Sequence, residues 1–307
     1  MTTTRHHLTH DAAVTTRTVG LVGLGNMGAA VASRLATYGT LLAYDRDEAR
    51  RTAVAAKVGA TACAGLPEVA AAPVVVLSLP SPKISLAVAA ELAETMAPGS
   101  LVIETSTVNP SDMEQLARIL NARGIRVIDA AILSGVAGME KGTTTLLTSG
   151  DEADLADALP VLEAMTPSIK TYGRLGAGMA AKVINNAVAH AVMVVLSEVA
   201  ALGASAGISL EELVDLLGDP EAGLIRPLTH RVAERVAQGD YQGGMPTDAA
   251  RKDSTLALEF AQQAGVPLFA IQGAHTVYEL ALAGGLARQD YASIASLWEQ
   301  WTGRELA

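Results

Sequence analysis

Two groups of residues in this sequence have the types and spacing to do chemistry. The first is Gly23-Leu24-Gly25-Asn26-Met27-Gly28, a G-x-G-x-x-G run that follows the apolar stretch TVGLV. In such a loop the first glycine makes a tight turn. The second lets a pyrophosphate approach the backbone, and the third lets a helix pack against a strand. The helix that follows offers free N–H groups and a positive dipole end to phosphates. A lone run of this kind can be a structural turn, but a strand before it and a helix after it point to a dinucleotide. The second group is Lys182, alone in an apolar helical segment and followed by Asn185 and Asn186. A desolvated ammonium exchanges a proton with a hydroxyl near neutral pH and stabilises negative charge developing on that oxygen. Asn186, at i+4, projects from the same helical face and can hold the amine in register. Asn185 is the weaker candidate and also reads as a buried structural amide. Lys182 has a plainer reading too: a stem laid along apolar surface with its charge in water.

The acidic residue expected after such a loop is Asp45, 17 positions beyond Gly28. A carboxylate there accepts hydrogen bonds from a ribose 2′-hydroxyl, which favours NAD. Arg46 beside it suits a 2′-phosphate instead, or an adenine face, or nothing but solvent. NAD or NADP is therefore expected, with a slight lean to NAD.

These residues need elements to position them. From residue 18 short apolar runs alternate with helical patterns: TVGLVG, TLLAYD, VVVLSLP, SLVIETST, IRVIDAAI, TTTLLTSG and SIKTYG read as strands, with helices between most of them. That alternation predicts an α/β domain with a parallel, doubly wound sheet over 18–178. After it the strands stop. A long, largely apolar helix and further helices predict an all-α domain over 179–307. An apolar helix of this kind is expected to be buried between domains or subunits. Residues 1–17, polar and Thr-rich, read as a flexible tail whose His6, His7 and His10 form a solvated cluster rather than a metal site.

Composition excludes several classes. The chain has 307 residues, a net charge of -10 and only 3% aromatics, which gives neither a basic nucleic-acid footprint nor stacking platforms. The single Cys63 rules out an internal disulfide framework, and His190, His230 and His275 have no ligand spacing, so no metal is expected. No signal-peptide core and no uninterrupted apolar run of about 20 residues is present. A cytoplasmic protein without membrane partners is expected.

Beyond the glycine loop, VIETSTVNP, VIDAAILSGVAGMEKGTTTLLTSG, GAGMAAKVINNAV, SEVAALGASAGI and RKDSTLALEFAQQAGVPL follow in order. Together these motifs resemble the β-hydroxyacid dehydrogenases, which include 3-hydroxyisobutyrate dehydrogenases and tartronate semialdehyde reductases within the 6-phosphogluconate dehydrogenase superfamily. The resemblance spans residues 18–300. It implies a Rossmann-like domain, a long helix, a helical domain, and reversible hydride transfer between a nicotinamide and a small β-hydroxyacid. It makes Lys182 the catalytic acid/base. It places Lys252, of Lys252-Asp253, near cofactor and substrate, although an exposed ion pair is the competing reading. Thr107 matches a position beside the nicotinamide, or else caps the next helix. Leu79 and Pro80 match the stretch around the adenosine, Pro80 mainly for backbone shape. The resemblance also implies a homodimer or higher homo-oligomer, because the apolar stretch 187–206 needs cover.

The sequence departs from the family where the substrate is gripped. The usual D-A-P-V-S-G-G reads here Asp129-Ala130-Ala131-Ile132-Leu133-Ser134-Gly135. Ser134 and the amides around Gly135 remain able to hold an anion, but Leu133 suggests a bulkier or less polar substrate. Aliphatics such as Leu133 and Met245 are expected to shape the pocket. Imine reductases, relatives with altered loops, form one alternative, though they usually carry Asp or Tyr in place of the Lys. A cofactor-binding scaffold without turnover is another.

Overall fold

The computed structural model describes residues 17–307. The expected tail, with His6, His7 and His10, lies outside the described residues apart from Arg17. The chain divides into two compact units, one ending at Asn186 and one running from Ala187.

The first unit is built on alternation. β1 (Thr18–Val22) leads into α1 (Asn26–Leu35), β2 (Thr40–Tyr44) into α2 (Glu48–Val58). A two-residue strand β3 (Thr61–Ala62) and the single turn α3 (Leu66–Val69) precede β4 (Val74–Leu77) and α4 (Pro82–Ala93). Then come β5 (Leu101–Glu104), α5 (Pro110–Asn121), β6 (Arg126–Ile132), α6 (Val136–Lys141), β7 (Thr145–Ser149), α7 (Glu152–Met165) and β8 (Ser168–Tyr172). The eight strands form one sheet in the order β3-β2-β1-β4-β5-β6-β7-β8. Both faces are dry. Val75, Leu77 and Val102 belong to one buried cluster, while Leu21, Val76 and Ile103 belong to the other. Strands covered on both sides read as continuous apolar runs, and this is why they were visible in the sequence.

Two features differ from the expected parallel sheet. β7 pairs antiparallel to β6. Its connection, residues 133–144, carries only the six-residue α6, about 9 Å long. A parallel return needs a crossover able to travel back along a whole strand, so the chain reverses instead. β3 was not expected at all, because two exposed residues carry no periodicity.

The second unit holds the C-terminal part of α8 (Ala177–Ser205), then α9 (Leu210–Gly218), α10 (Thr247–Ala264), α11 (Phe269–Ala283) and α12 (Ala295–Thr302). α10 packs along α11. The two are tied by Arg251–Glu279 at 2.6 Å and by His275, whose Nδ1 lies 2.8 Å from Ser254 Oγ. Buried Asp290 accepts from the amides of Met245 and Ala292 and pairs with Arg231 and Arg235. It thereby pins the loop that carries Met245.

α8 is long and apolar enough to cross a bilayer by length and hydropathy, with a mean hydropathy of 1.9 over 18 residues. That differs from the expectation drawn from uninterrupted runs, because Asn, His and Ser inside the helix break the runs without lowering the mean much. One side chain of it is tied into the second unit. Buried Glu198 accepts from the amides of Ala270 at 2.7 Å and Ile271 at 3.2 Å, capping α11. A carboxylate there satisfies two orphan donors and meets the positive end of the helix. Glu198→Ala is expected to lower stability by about 2–3 kcal/mol, read by denaturant unfolding, because two charge-assisted bonds are lost from a buried position. Along the same helix Ile184, Val188 and Met193 are about 60% exposed rather than buried within the chain.

Candidate active site

The glycine loop joins β1 to α1 next to the point where the strand order reverses, with β2 on one side of β1 and β4 on the other. Ligands of open α/β sheets sit at that crevice. The three glycines divide the labour as the motif demands. Gly23 has φ +94° and donates its amide to Tyr44 O at 2.9 Å. A Cβ on Gly23 would collide with Ser78 O, and one on Gly28 with Gly23 O. A Cβ on Gly25 would meet nothing within 4 Å. The room beside Gly25 is the room a pyrophosphate needs, and Gly25 is the N-cap of α1 with no side chain capping the helix. The residues present therefore fit a dinucleotide. Asn26, Met27, Leu79 and Pro80 line the same cleft; Leu24 is buried in the core.

Asp45 follows β2 at this cleft. Its Oδ2 accepts from Leu24 N at 2.8 Å and its Oδ1 from Asp47 N at 2.9 Å. Burial pushes the carboxyl up, but the amides of Asp47 and Leu24 and the Arg50 guanidinium outweigh it and hold the group below the usual Asp range. So Asp45 is anionic and already braces the loop. Arg46 is exposed at the rim, and Arg50 lines the cleft 3.4 Å from Asp45. Arg50 was not anticipated. It stands one turn into α2, outside the motif, and only the fold turns it back toward the strand end.

Lys182 lies near the start of α8, and the sequence around it explains how that start is held. Gly176 has φ +89°. A Cβ on Gly178 would lie 2.5 Å from Leu147 O and 2.7 Å from Asp129 Oδ2, so only glycine lets the helix end press onto the sheet. Asp129, fully buried on β6, accepts from Gly176 N and Met179 N, each at 2.8 Å, and from Ser149 Oγ at 2.5 Å. Ser149 Oγ accepts in turn from Gly178 N at 2.9 Å. Three orphan donors of a helix start are thus satisfied by two side chains of adjacent strands. Lys182 is half-buried, and desolvation lowers its pKa from the ordinary Lys value. Asn186 is half-buried on the same face; Asn185 is exposed.

The remaining candidates are placed as follows. Thr107 is exposed after β5, and the next helix is capped by Asn109 and Asp112, whose side chain accepts from Asn109 N at 2.9 Å. Leu133 packs partly buried against the core. Ser134 Oγ donates to Thr144 Oγ1 at 2.7 Å, beside Gly135 at the N-terminus of α6. In the second unit Lys252 pairs with Asp253 at 2.8 Å, and Met245 lies on the loop held by Asp290.

Known proteins resemble this chain along its length. Residues 18–176 match the NAD binding domain of 6-phosphogluconate dehydrogenase. Residues 176–298 match the NAD-binding domain of NADP-dependent 3-hydroxyisobutyrate dehydrogenase. The 2-(hydroxymethyl)glutarate dehydrogenase of Eubacterium barkeri is 33% identical over 93% of this chain and 96% of its own. The NAD-dependent L-serine dehydrogenase of Pseudomonas aeruginosa is 30% identical over 93% of this chain and 99% of its own. An imine reductase from Pseudomonas sp. superposes with a TM-score of 0.83 at 21% identity, covering 92% of this chain and 99% of its own, and so shares the fold. The chain belongs to the β-hydroxyacid dehydrogenase family, NAD(P)-dependent oxidoreductases that act on CH–OH donors.

Proposed function

We propose that this enzyme interconverts a small, anionic β-hydroxyacid and its aldehyde or keto acid, with Lys182 as general acid/base. The observation that carries the reading is Lys182 itself, half-desolvated on a helix whose start is clamped to the sheet by Asp129 and Gly178. Lys182 takes the hydroxyl proton in oxidation and returns it to the carbonyl oxygen in reduction. Its charge stabilises the oxyanion between those states. Asn186 holds the amine and the substrate oxygen in register. Residues 23–28 cradle the pyrophosphate, Asp45 and Arg46 meet the adenosine ribose, Leu79 and Pro80 flank it, and Thr107 serves the nicotinamide end, a role the family pattern also assigns to Lys252. A dinucleotide bound there supplies or accepts the hydride.

Ser134 and Gly135 grip the substrate carboxylate, while Leu133, Asn185 and Met245 shape the rest of the pocket. Both curated relatives named above take β-hydroxyacids by name, which supports that substrate class. We place the domain boundary near residue 178 and take the protein to be a cytoplasmic homodimer or higher homo-oligomer. The exposed apolar residues of α8 support a partner subunit. The decisive test is a turnover panel with both cofactors: 2-(hydroxymethyl)glutarate, 3-hydroxyisobutyrate, L-serine and cyclic imines. Activity on a hydroxyacid is expected. Activity on imines alone would give the chain to the imine reductases, and dinucleotide binding without turnover would make it a scaffold.

Cofactor choice is decided at Asp45, Arg46 and Arg50. Arg50→Ala is expected to weaken NADPH binding about tenfold and NADH binding by no more than about twofold, because one charge-assisted contact to a 2′-phosphate is removed. Fluorescence titration of the reduced dinucleotides reads both.

A further inference from the structure

Glu104 is the last residue of β5 and the register partner of Asp129 on β6, so both carboxyls face the same side of the sheet. Both are fully buried. Asp129 has three donors. Glu104 has one firm donor, the Ser106 amide, 2.7 Å from Oε1, and its Oε2 has no partner. Ser106 links this carboxyl to the cleft: its hydroxyl accepts from Leu79 N at 2.8 Å and lies 3.5 Å from Ser85 Oγ. Leu79 lines the cleft and packs beside Gly23 of the glycine loop.

A buried carboxylate with an orphan oxygen, set beside a second carboxylate, is an arrangement that the neutral acid relieves. We propose that Glu104 is a positioning residue of the dinucleotide cleft, held as the neutral acid, which fixes Ser106 through its main-chain amide and, through the Ser106 hydroxyl, the Leu79 amide. The proposal rests on the reading that the cofactor lies along residues 23–28. Burial is the main influence and pushes the Glu104 carboxyl up to about 7, with Ser106 and Ser85 pulling it down and Asp129 adding to the rise. Asp129, on β6, is the titratable group that acts on it, its own carboxyl raised by burial against the donors Ser149, Gly176 and Met179; α4 contributes only Ser85. Ionising Glu104 places a second charge in this layer. Water or rearrangement must then solvate it, and the Leu79 tether loosens. Cofactor affinity accordingly falls as pH rises through about 7.

The test uses the full-length protein and titration of NADH and NADPH fluorescence between about pH 6 and pH 9. Wild type is expected to lose affinity about tenfold across that range, consistent with one coupled proton. Glu104→Gln keeps a neutral hydrogen-bonding group and is expected to flatten the profile while matching wild type within about threefold at the acid end. Glu104→Ala, checked for folding by circular dichroism, is expected to bind about tenfold more weakly at every pH. A protonated-carboxyl stretch in the infrared at about pH 6, absent from Glu104→Gln, reads the proton without any ligand. An unchanged pH profile in the Gln variant, or absence of that band, overturns the proposal. Wild type that binds neither dinucleotide overturns the cleft reading with it, whereas binding without the pH dependence overturns the proposal alone.

Discussion

Lys182→Ala is expected to lower turnover about a thousandfold while dinucleotide binding stays within about threefold of wild type. Removing a general acid/base costs about two to four orders of magnitude, and the lost oxyanion stabilisation adds to this. Binding survives because the cleft beside Gly25 is formed by β1, α1 and the Leu79 wall, elements that do not depend on the Lys182 side chain. The pH profile supplies a sign as well. With Lys182 in the proposed role, oxidation uses the free amine, so its rate is expected to rise with pH. Reduction needs the ammonium, so its rate falls. Both inflections lie below the ordinary Lys value, because desolvation lowers it. Steady-state rates in both directions, with a fluorescence titration alongside, check all of this. Unchanged turnover would remove Lys182 from the mechanism, and loss of binding together with turnover would point to damage at the start of α8.

Two substitutions three positions apart in the glycine loop are expected to fail in opposite ways. Gly25→Val leaves the fold intact, since space opens where its side chain would go. That same space is then denied to the pyrophosphate, and affinity for either dinucleotide should drop by about two orders of magnitude or more. Gly28→Val instead drives a side chain into the Gly23 carbonyl. Overpacking at a contact between helix and turn costs about 3 kcal/mol or more, because neither backbone has room to retreat. Thermal unfolding separates the two: an unchanged midpoint for Gly25→Val and a lowered one for Gly28→Val. A Gly25→Val variant that still binds dinucleotide would place the cofactor elsewhere.

How much of this was legible in the sequence depended on distance along the chain. The glycine loop, Asp45 and the Lys182 neighbourhood are local patterns, and the strands of the dry sheet announce themselves as apolar runs such as LVIE and TVGLV. The reversed pairing of β7 was not legible. Its signal is the length of α6, and the TTTLLTSG pattern is the same for either direction. The Asp129 clamp was not legible either, because it joins residues 47 and 50 positions apart. Glu104 did leave a trace: a carboxyl ending an otherwise apolar strand. That trace means little until the structure shows it buried beside a second carboxyl. Arg50 is a third case, a surface charge by pattern and a cleft residue by geometry. The exposure of Ile184 and Met193 belongs here too, since hydropathy marks them as sticky without saying what covers them.

The clamp on α8 has a consequence for how this enzyme can be changed. Lys182 takes its position from main-chain amides bound to Asp129 and Ser149 and from the close approach that Gly178 permits. The loop around Leu133, Ser134 and Gly135 donates none of those hydrogen bonds, although Leu133 packs on the cluster that holds Met179. With the roles proposed above, substrate scope and proton transfer would rest on different hydrogen-bonded parts. A library that randomises 134–135 while leaving residues 129, 133, 149, 176 and 178 untouched is expected to change substrate scope while keeping the hydrogen bonds that hold the start of α8.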